Sequence, residues 1–334
     1  MEKKTNGLII ADCGPAESFD FLEALNANTK INWSIKNFIC NGERNFFEEI
    51  KRYFTYVRAG FFASRKINKL DYIVCWQQLF GIFCAFFARL FRKKKKSKLI
   101  IMTFIYKGKK GIIGKLYKKV VSYALQSKYI DVITLSSQKE AKKYSELFNI
   151  TIDKFKFLPW GQNKDSTITT NSKGNYLISI GRSNRDYNFL VESLTDYDYK
   201  TLIYSDEEKA VEHGNCKFTG VIKGANLALA NSFCVIIPIN DPSISAGQTL
   251  LINAMMYKKP IICTESSGLT DDYLINGFNG IIIKKDKNEL IKAIESLKNE
   301  GYYNTIANNG YREWQEKYSI KAMGENMAKI VNLL

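Results

Sequence analysis

The chain has 334 residues, 46% of them hydrophobic, a length that exceeds one comfortable core and suits two globular domains of ordinary size. Its seven cysteines are scattered without a Cys-x-x-Cys pair and His213 is its single histidine, which argues against a disulfide framework or a zinc site and excludes a histidine metal cluster. The net charge of +16 lies in the first half, since residues 1–160 hold 30 Lys and Arg against 13 Asp and Glu, and the remainder holds 19 against 20.

The first half alternates short apolar runs with stretches of helical character, which predicts a parallel sheet with ligands at the carboxyl ends of its strands. Only a four-residue apolar run follows the first seven residues, so no signal peptide is expected. Pro15 stands near the first position of a helix, and Ser137-x-x-Glu140 has the spacing of a capping box for a helix that ends at Phe148. The predicted strands are residues 7–12, 71–76, 98–103, 129–134 and 155–159.

A basic segment extends from Arg44 to Lys128 and centres on Arg92-Lys-Lys-Lys-Lys-Ser-Lys98. The aromatic residues 79–91 directly before that run are too short for a membrane-spanning helix, which needs about 20 residues. Two interpretations stay open. The segment is either a core helix followed by a solvated basic turn, or it lies on a bilayer, where each basic residue near an anionic leaflet contributes about 1 kcal/mol. Nucleic acid is a further customary partner of such charge, but no recognition helix, zinc finger or RNA-binding motif supports it.

The second half is organised around residues 243–256. They follow the apolar run Cys234-Val-Ile-Ile-Pro238, which is typical of a buried parallel strand, and Ser245-x-x-Gln248 has capping-box spacing. From residue 250 to 256 only Asn253 is polar, so the helix is expected to be buried nearly all round. The N–H groups and positive dipole end of its first turn predict a seat for a phosphate or diphosphate. The residues concerned are Ser243, Ser245, Ala246, Gly247, Gln248 and Thr249. A capped core helix without a ligand is the alternative.

Three segments of this half form a pattern: Tyr176–Leu190, residues 238–264, and residues 271–280 with the strand and helix that follow. In this order they resemble the donor-binding domain of GT-B glycosyltransferases, most nearly family 4, of the kind that builds bacterial capsular and surface polysaccharides. Tyr176-Leu-Ile-Ser-Ile-Gly-Arg-Ser-Asn-Arg-Asp-Tyr-Asn-Phe-Leu190 resembles the strand, Gly-Arg turn and basic residue that grip the donor diphosphate. Residues 238–264 resemble the loop and helix under the sugar and ribose. Residues 271–280, with a strand and a helix from Asn288, resemble the closing segment.

The resemblance implies an α/β chain with the GT-B fold, two Rossmann-like parallel-sheet domains facing a central cleft. Residues 1–163 would form the N-terminal acceptor-binding domain, 164–175 a polar linker, and 176–315 the nucleotide-sugar-binding domain. A last helix, from Tyr311 through Met327, would cross back to the first domain, with residues 316–334 as the crossing part.

The resemblance also implies a donor site without a metal, in which cations and backbone N–H groups stabilise the departing diphosphate. Gly181, Arg182 and Arg185 are the residues that match its turn, and an arginine can fork onto phosphate oxygens. The alternative for these arginines is a surface ion pair with Asp186 or Glu192. Where the family carries two glutamates eight positions apart, this chain has Ser245 and Asn253. Asn253 would then hold the ribose more weakly, and the identity of the sugar stays open.

The sequence also leaves open which group takes the proton of the acceptor hydroxyl. A histidine that many members carry in the first domain is absent, because His213 lies in the second half. An inverting reaction needs a carboxylate, and Asp12, Glu17 and Asp20 are the candidates, although Asp12 is also a plausible helix cap. A retaining reaction could pass the proton to the leaving phosphate and would need no dedicated base.

The sequence thus predicts a glycosyltransferase, a hexosyltransferase that moves a sugar from a nucleotide diphosphate sugar to a glycan acceptor, lipid-linked, in surface polysaccharide synthesis. No cofactor or metal is expected. The predicted location is cytoplasmic, peripheral at the inner face of the plasma membrane, with an anionic membrane surface as partner and no nucleic acid. Two alternatives remain, a catalytically silent GT-B protein that binds a nucleotide sugar or a partner, and a basic nucleic-acid-binding protein.

Overall fold

The computed structural model describes most of the chain, namely residues 5–39, 46–169, 173–206, 209–266 and 268–334. The side chains of Glu17 and Phe46 lie outside that description. So do Arg44, where the basic segment begins, and residues 170–172 of the predicted linker. The chain forms two compact units, one made of Met1–Pro159 with Ile320–Leu334 and the other of Trp160–Ser319.

The first unit is built on a six-stranded parallel sheet in the order β2-β1-β3-β4-β5-β6. Its strands are β1 (Thr5–Ala11), β2 (Ile31–Asn37), β3 (Tyr72–Cys75), β4 (Lys98–Ile101), β5 (Ile130–Leu135) and β6 (Phe155–Phe157). Five of them lie where apolar runs predicted strands. β2 escaped prediction because it is an edge strand that mixes polar with apolar residues, whereas the central strands are buried on both faces.

Five helices connect these strands: α1 (Pro15–Asn28), α2 (Phe46–Ser64), α3 (Gln78–Leu90), α4 (Gly111–Leu125) and α5 (Glu140–Phe148). The β1-to-β2 connection runs along the sheet in the opposite direction to the later ones, so right-handed crossovers put α1 on one face and the other helices on the opposite face. There α2 packs against α3, and α3 against α4.

Helix α3 decides between the two interpretations of residues 79–91. Seven of its residues are buried, and six of these, among them Phe80, Ile82 and Cys84, belong to the main apolar core of this unit. The segment is therefore a core helix followed by a basic turn, as the first interpretation has it. Among the described residues, no helix is both long and apolar enough to cross a membrane.

The second unit carries a seven-stranded sheet in the order β13-β12-β11-β7-β8-β10-β9. Its strands are β7 (Leu177–Ile180), β8 (Thr201–Tyr204), β9 (Val211–His213), β10 (Cys216–Phe218), β11 (Cys234–Ile237), β12 (Ile261–Thr264) and β13 (Ile281–Ile283). Their pairing is parallel except between β9 and β10. The chain order reverses between β7 and β11, and in such sheets ligands bind outside the carboxyl ends of the strands at that reversal.

The helices of this unit are α6 (Tyr187–Leu194), α7 (Ala225–Ala230), α8 (Gln248–Met256), α9 (Thr270–Tyr273), α10 (Lys287–Ser296) and α11 (Glu300–Glu313). Every residue of α8 from Leu250 to Met256 is buried, as its sequence predicted.

The prediction of one final helix from Tyr311 through Met327 is wrong. α11 ends at Glu313, a π-helical turn follows over Trp314–Tyr318, and α12 (Ile320–Asn332) begins after an extended Ser319. The π turn is held by Gln162, whose backbone N–H donates to the Tyr318 carbonyl and whose carbonyl accepts from the Trp314 indole, both at 2.9 Å. α12 packs against α1 within the first unit.

The predicted capping box at Ser137 is also wrong. α5 begins at Glu140 after Lys139, and no side chain caps it. The Ser137 hydroxyl is instead buried without a hydrogen-bond partner in the described structure. The helix does end at Phe148, where Asn149 adopts the left-handed conformation that closes many helices.

Candidate functional site

Two loops meet where the strand order of the second unit reverses. One follows β7 over residues 181–186, and the other follows β11 over residues 238–247. Backbone N–H groups of Asp186 and Asn240 donate across to Pro238 and Asn184 at 2.8 and 3.2 Å. The amide side chain of Asn184 exchanges two further hydrogen bonds with the backbone of Asp241, at 2.7 and 2.8 Å. The two loops therefore form one connected structure.

The guanidinium of Arg185 lies between the glycines of these loops. Gly181 has φ of +136° and Gly247 has φ of +109°, conformations that residues with a side chain rarely adopt. A Cβ atom at Gly181 would lie 3.0 Å from Nη2 of Arg185, and one at Gly247 would lie 3.6 Å from the same atom. Both glycines thus leave room for the arginine beside the start of α8.

Arg185 is a cation without an acidic partner among the described residues. Its Nη1 donates to the Ser183 carbonyl at 3.0 Å, and its Nε is buried with no acceptor. Burial lowers the pKa of the guanidinium from its ordinary value, against smaller opposite effects of Tyr187 and Cys263. Since the ordinary value is so high, the group stays charged at neutral pH. A charge that is partly removed from water in this way is costly unless something compensates it, and an anion would do so.

Arg182 differs, because it forms a forked ion pair with Asp206, the second residue after β8. The sequence alternatives for its partner, Asp186 and Glu192, are therefore wrong. Asp186 instead accepts from the N–H of Phe189 at the start of α6 and pairs with Lys285 at 2.9 Å. The turn thus presents one neutralised and one uncompensated arginine.

No side chain caps the first turn of α8. The predicted capping box at Ser245 is wrong, since the helix begins at Gln248 after Gly247 and has no side-chain cap. The Ser245 hydroxyl donates to the Gly268 carbonyl at 3.0 Å and accepts from the Gln248 side chain. The first N–H groups of a helix have no carbonyl partner within it. Here they adjoin the arginine, and Thr249 is exposed.

Three residues of the predicted site have other surroundings. Ser243 closes a turn in which its N–H and hydroxyl both donate to the Asp241 carboxylate, at 2.9 and 2.7 Å. Asn253 is buried within α8 and its side-chain Nδ2 donates to the side chain of Asn226 in α7 at 3.1 Å, while its side-chain oxygen Oδ1 is buried without a partner. Ala246 lies in the loop directly before α8. The loops therefore bring Gly181, Arg185 and Gly247 together, and Asn253 lies deeper, beside Asn226.

Sequence reasoning missed Asn184, Asp206 and Asn226. Asn184, with φ of +58°, is the residue that ties the loops together. Its left-handed conformation is one that Asn tolerates, but a lone Asn in a loop is too common to signal it. Asp206 and Asn226 lie 24 and 27 residues from the partners they contact, so no local pattern reveals them.

The candidate bases lie in the first unit. Asp12 is half-buried and directly follows β1, at the carboxyl edge of that sheet. Asp12 does not occupy the N-cap position of α1, because that helix starts with Pro15 after Gly14. Asp20 is half-buried one turn into α1, and the side chain of Glu17 lies outside the description. Within the described residues, no group of three or more His, Cys, Asp or Glu side chains is arranged to hold a metal ion.

No protein-family model matches the chain, and no curated protein matches it in sequence. Solved structures do match in fold. HepE from Anabaena, in complex with UDP, aligns over 99% of this chain and all of its own, with a TM-score of 0.66 at 12% identity. A glycosyltransferase from Rickettsia africae aligns over 100% and 99%, with a TM-score of 0.66 at 14% identity. Sucrose-phosphate synthase from Thermosynechococcus elongatus aligns over 99% of both, with a TM-score of 0.65 at 13% identity.

The chain has the GT-B fold. Its two parallel-dominated sheets are those of GT-B glycosyltransferases, which confirms the α/β fold class predicted from the sequence. At 12–14% identity the likeness concerns the fold. A shared fold does not determine the reaction, so the chemistry of this chain depends on the groups around Arg185.

Proposed function

We propose that the chain is a glycosyltransferase that takes a sugar from a nucleotide diphosphate sugar. The observation that carries the proposal is the charged, half-buried Arg185 guanidinium, which has no acidic partner among the described residues and whose buried Nε has no acceptor. It lies between Gly181 and Gly247 at the uncapped start of α8. A diphosphate supplies the compensating charge, and the glycines let it approach the backbone. Hydrogen bonds to charged groups are worth about 1.5–3 kcal/mol each.

In the proposed reaction the bond between the sugar's anomeric carbon and the diphosphate oxygen breaks, and a bond to an acceptor oxygen forms. Negative charge grows on the departing diphosphate, where Arg185 and the N–H groups of Gln248 and Thr249 stabilise it. The acceptor proton passes to a carboxylate, for which we propose Asp12, or to the leaving phosphate. The first route goes with inversion of configuration at the sugar and the second with retention.

Uridine diphosphate is the donor nucleotide to test first. HepE was crystallised with UDP and with UDP-glucose. Thermal unfolding of the purified chain with UDP, GDP, CMP and dTDP and their sugar conjugates tests the site directly. A rise in melting temperature with one nucleotide, most of which Arg185→Met removes, would support the proposal. A chain that responds to none of them, or a variant that responds like the wild type, would refute it.

For the acceptor we propose a lipid-linked glycan of a surface polysaccharide, met at the inner face of the plasma membrane. One of the GT-B neighbours is the lipopolysaccharide outer core galactosyltransferase WaaB, which aligns at 13% identity with a TM-score of 0.62. The strongly basic first half of this chain fits an anionic membrane surface. Transfer of radiolabelled sugar to lipid extracts, with and without the chain, measures this directly.

A second candidate is a GT-B protein that binds a nucleotide sugar without turnover. The observation in its favour is that the polar donors of Ser245 and Asn253, which stand where the family carries glutamates, are already used within the protein. The Ser245 hydroxyl donates to the Gly268 carbonyl and accepts from Gln248, and the Asn253 amide donates to Asn226. The two candidates differ in turnover: release of UDP from UDP-sugar in the presence of acceptor lipids supports the enzyme, and binding without release supports the silent protein.

A further inference from the structure

Helix α2 carries an apolar stripe that the core of its unit does not use. Phe47, Ile50, Phe54, Arg58 and Phe61 follow one another at intervals of three or four residues, so they lie on one face of the helix. All five are exposed, Phe47 by 74% and Phe54 by 63%. The other side of α2 packs against α3. The stripe thus exposes three phenylalanines and one isoleucine, with Arg58 among them, over about 20 Å at 1.5 Å per residue, which is unusual for a free surface.

The stripe continues onto the neighbouring helices. The ring of Phe61 lies 5.4 Å from that of Phe87 and 6.3 Å from that of the exposed Phe91, just after the end of α3. On the other side, Lys109 before α4 donates to the Tyr53 hydroxyl of α2 at 3.2 Å. Beyond it the first turns of α4 expose Ile112, by 86%, together with Ile113 and Leu116. We call the surface made of the α2 stripe, Phe91 and the exposed start of α4 the α2–α4 face.

The surroundings of the α2–α4 face are strongly basic. Between Asp71 and Asp131 the chain has 14 Lys and Arg and no Asp or Glu. Two open depressions on the outside of α3 and α4, of about 500 and 450 Å³, share Arg89 and Gln126. Arg89 stacks on the Tyr123 ring at 4.0 Å, and the other basic residues that line the depressions are Arg92, Lys93, Lys115, Lys118, Lys119 and Lys128.

Exposed apolar residues beside many lysine and arginine side chains match one kind of partner best. A protein partner of such charge would need a matching acidic surface, whereas an anionic bilayer offers negative phosphates and an apolar interior side by side. Lysine and arginine side chains can reach the phosphates while phenylalanine and isoleucine enter the boundary of the acyl chains. The spacing along α2 is that of a helix lying in the plane of the interface.

We propose that the α2–α4 face lies flat on the anionic leaflet of a membrane, with Phe47, Ile50, Phe54 and Ile112 inserted and the lysines of α4 on lipid phosphates. This rests on the proposed function, in that a lipid-linked acceptor gives the attachment its purpose. The apolar contact is thus made by α2 and α4, and the core helix α3, to which the sequence pointed, does not make it.

Flotation of the full chain with vesicles tests the proposal. We expect the wild type to bind phosphatidylcholine vesicles that contain phosphatidylglycerol, and to bind pure phosphatidylcholine at least about tenfold less. The double variant Phe47→Ser/Phe54→Ser should lower the partition coefficient about tenfold or more, and Phe54→Leu should retain it. Phe19→Ser is the matched control, because Phe19 is 59% exposed on α1, on the opposite face of the same sheet.

The triple variant Lys115→Gln/Lys118→Gln/Lys119→Gln tests the electrostatic half, and it should lower binding to anionic vesicles at least about tenfold. A wild type that does not float, or a Phe47/Phe54 variant that floats like it, overturns the proposal. So does a dimer in light scattering that the same variant dissociates, since a second copy then covers the face. Nucleotide-induced thermal shifts measured on the same variants keep the two proposals apart, because the donor site lies in the other unit.

Discussion

Replacing Arg185 by Met should separate stability from ligand binding. The side chain keeps much of its length but loses a half-buried charge that has no acidic partner in the described structure. Removing such a charge relieves its desolvation cost. We therefore expect the free energy of unfolding of the ligand-free protein to stay the same or to rise by about 1 kcal/mol.

The expected loss of binding follows from the geometry. Two guanidinium N–H groups that reach diphosphate oxygens contribute about 3 kcal/mol together, which corresponds to a dissociation constant raised roughly 100-fold. At a nucleotide concentration of about 100 times Kd, the wild type gains about 2.7 kcal/mol. For a unit of this size that is a shift of about 5–10 °C, and the variant should shift by about 1 °C.

Differential scanning fluorimetry with titrated UDP measures both the melting temperature of the ligand-free protein and its shift with nucleotide. Lys287→Met is the surface control, because Lys287 pairs with Asp196 on an exposed helix end, and it should leave the shift unchanged. Arg182→Met should weaken binding less than Arg185→Met, since Asp206 already neutralises Arg182. If Arg185→Met melts several degrees below the wild type without ligand, the guanidinium serves the fold, and the reasoning fails.

Two further predictions concern backbone and pH. Gly247→Ala should lower the free energy of unfolding by about 2 kcal/mol or more and abolish the nucleotide shift, because φ is +109° and the new Cβ would lie 2.8 Å from the Leu269 side chain. Gly224→Ala is the control for backbone strain alone, since its φ is +81° and its Cβ would meet no atom within 4 Å. Urea unfolding and fluorimetry measure both variants. Burial lowers the pKa of Lys259 from its usual 10.5 to about 8. Between about pH 8 and pH 10.5 the unfolded chain therefore binds more protons than the folded chain, so the free energy of unfolding rises with pH over that window. Urea unfolding at pH 7.5 and 9.5 should show a rise of up to about 2 kcal/mol that Lys259→Met removes, and a wild type without that rise would contradict it.

The strands were predictable because a strand that is buried on both faces consists of a short run of apolar residues. β11 and the buried helix α8 were found in this way. Boundaries set by polar contacts were not predictable. Ser137 and Ser245 both have capping-box spacing, yet neither helix is capped, because the Ser245 hydroxyl is engaged by Gly268 and Gln248 and that of Ser137 is buried.

The candidate site was predictable only in part, for a related reason. Gly181, Arg182 and Arg185 stand out because glycine and arginine follow a strand directly. That Arg182 is neutralised and Arg185 is not depends on Asp206, which lies 24 residues away from Arg182, in the loop after the neighbouring strand β8. A pairing across a sheet has no local signature, so the two arginines looked equivalent in the sequence. The exposed stripe of α2 was missed because an apolar face at helical spacing ordinarily marks a core.

The two proposed sites draw on charge in opposite ways, and salt should distinguish them. The second half of the chain is nearly neutral overall, so any attraction of a diphosphate there is local to Arg185 and the start of α8. A partly buried charge is screened little by ions. The lysines around the α2–α4 face are exposed, and at about 0.15 M salt their field decays within roughly 8 Å. Vesicle binding should therefore fall steeply with salt while nucleotide binding changes little. If both fell together, the nucleotide would be held by the surface field of the first unit, and Arg185 would not be its principal anchor.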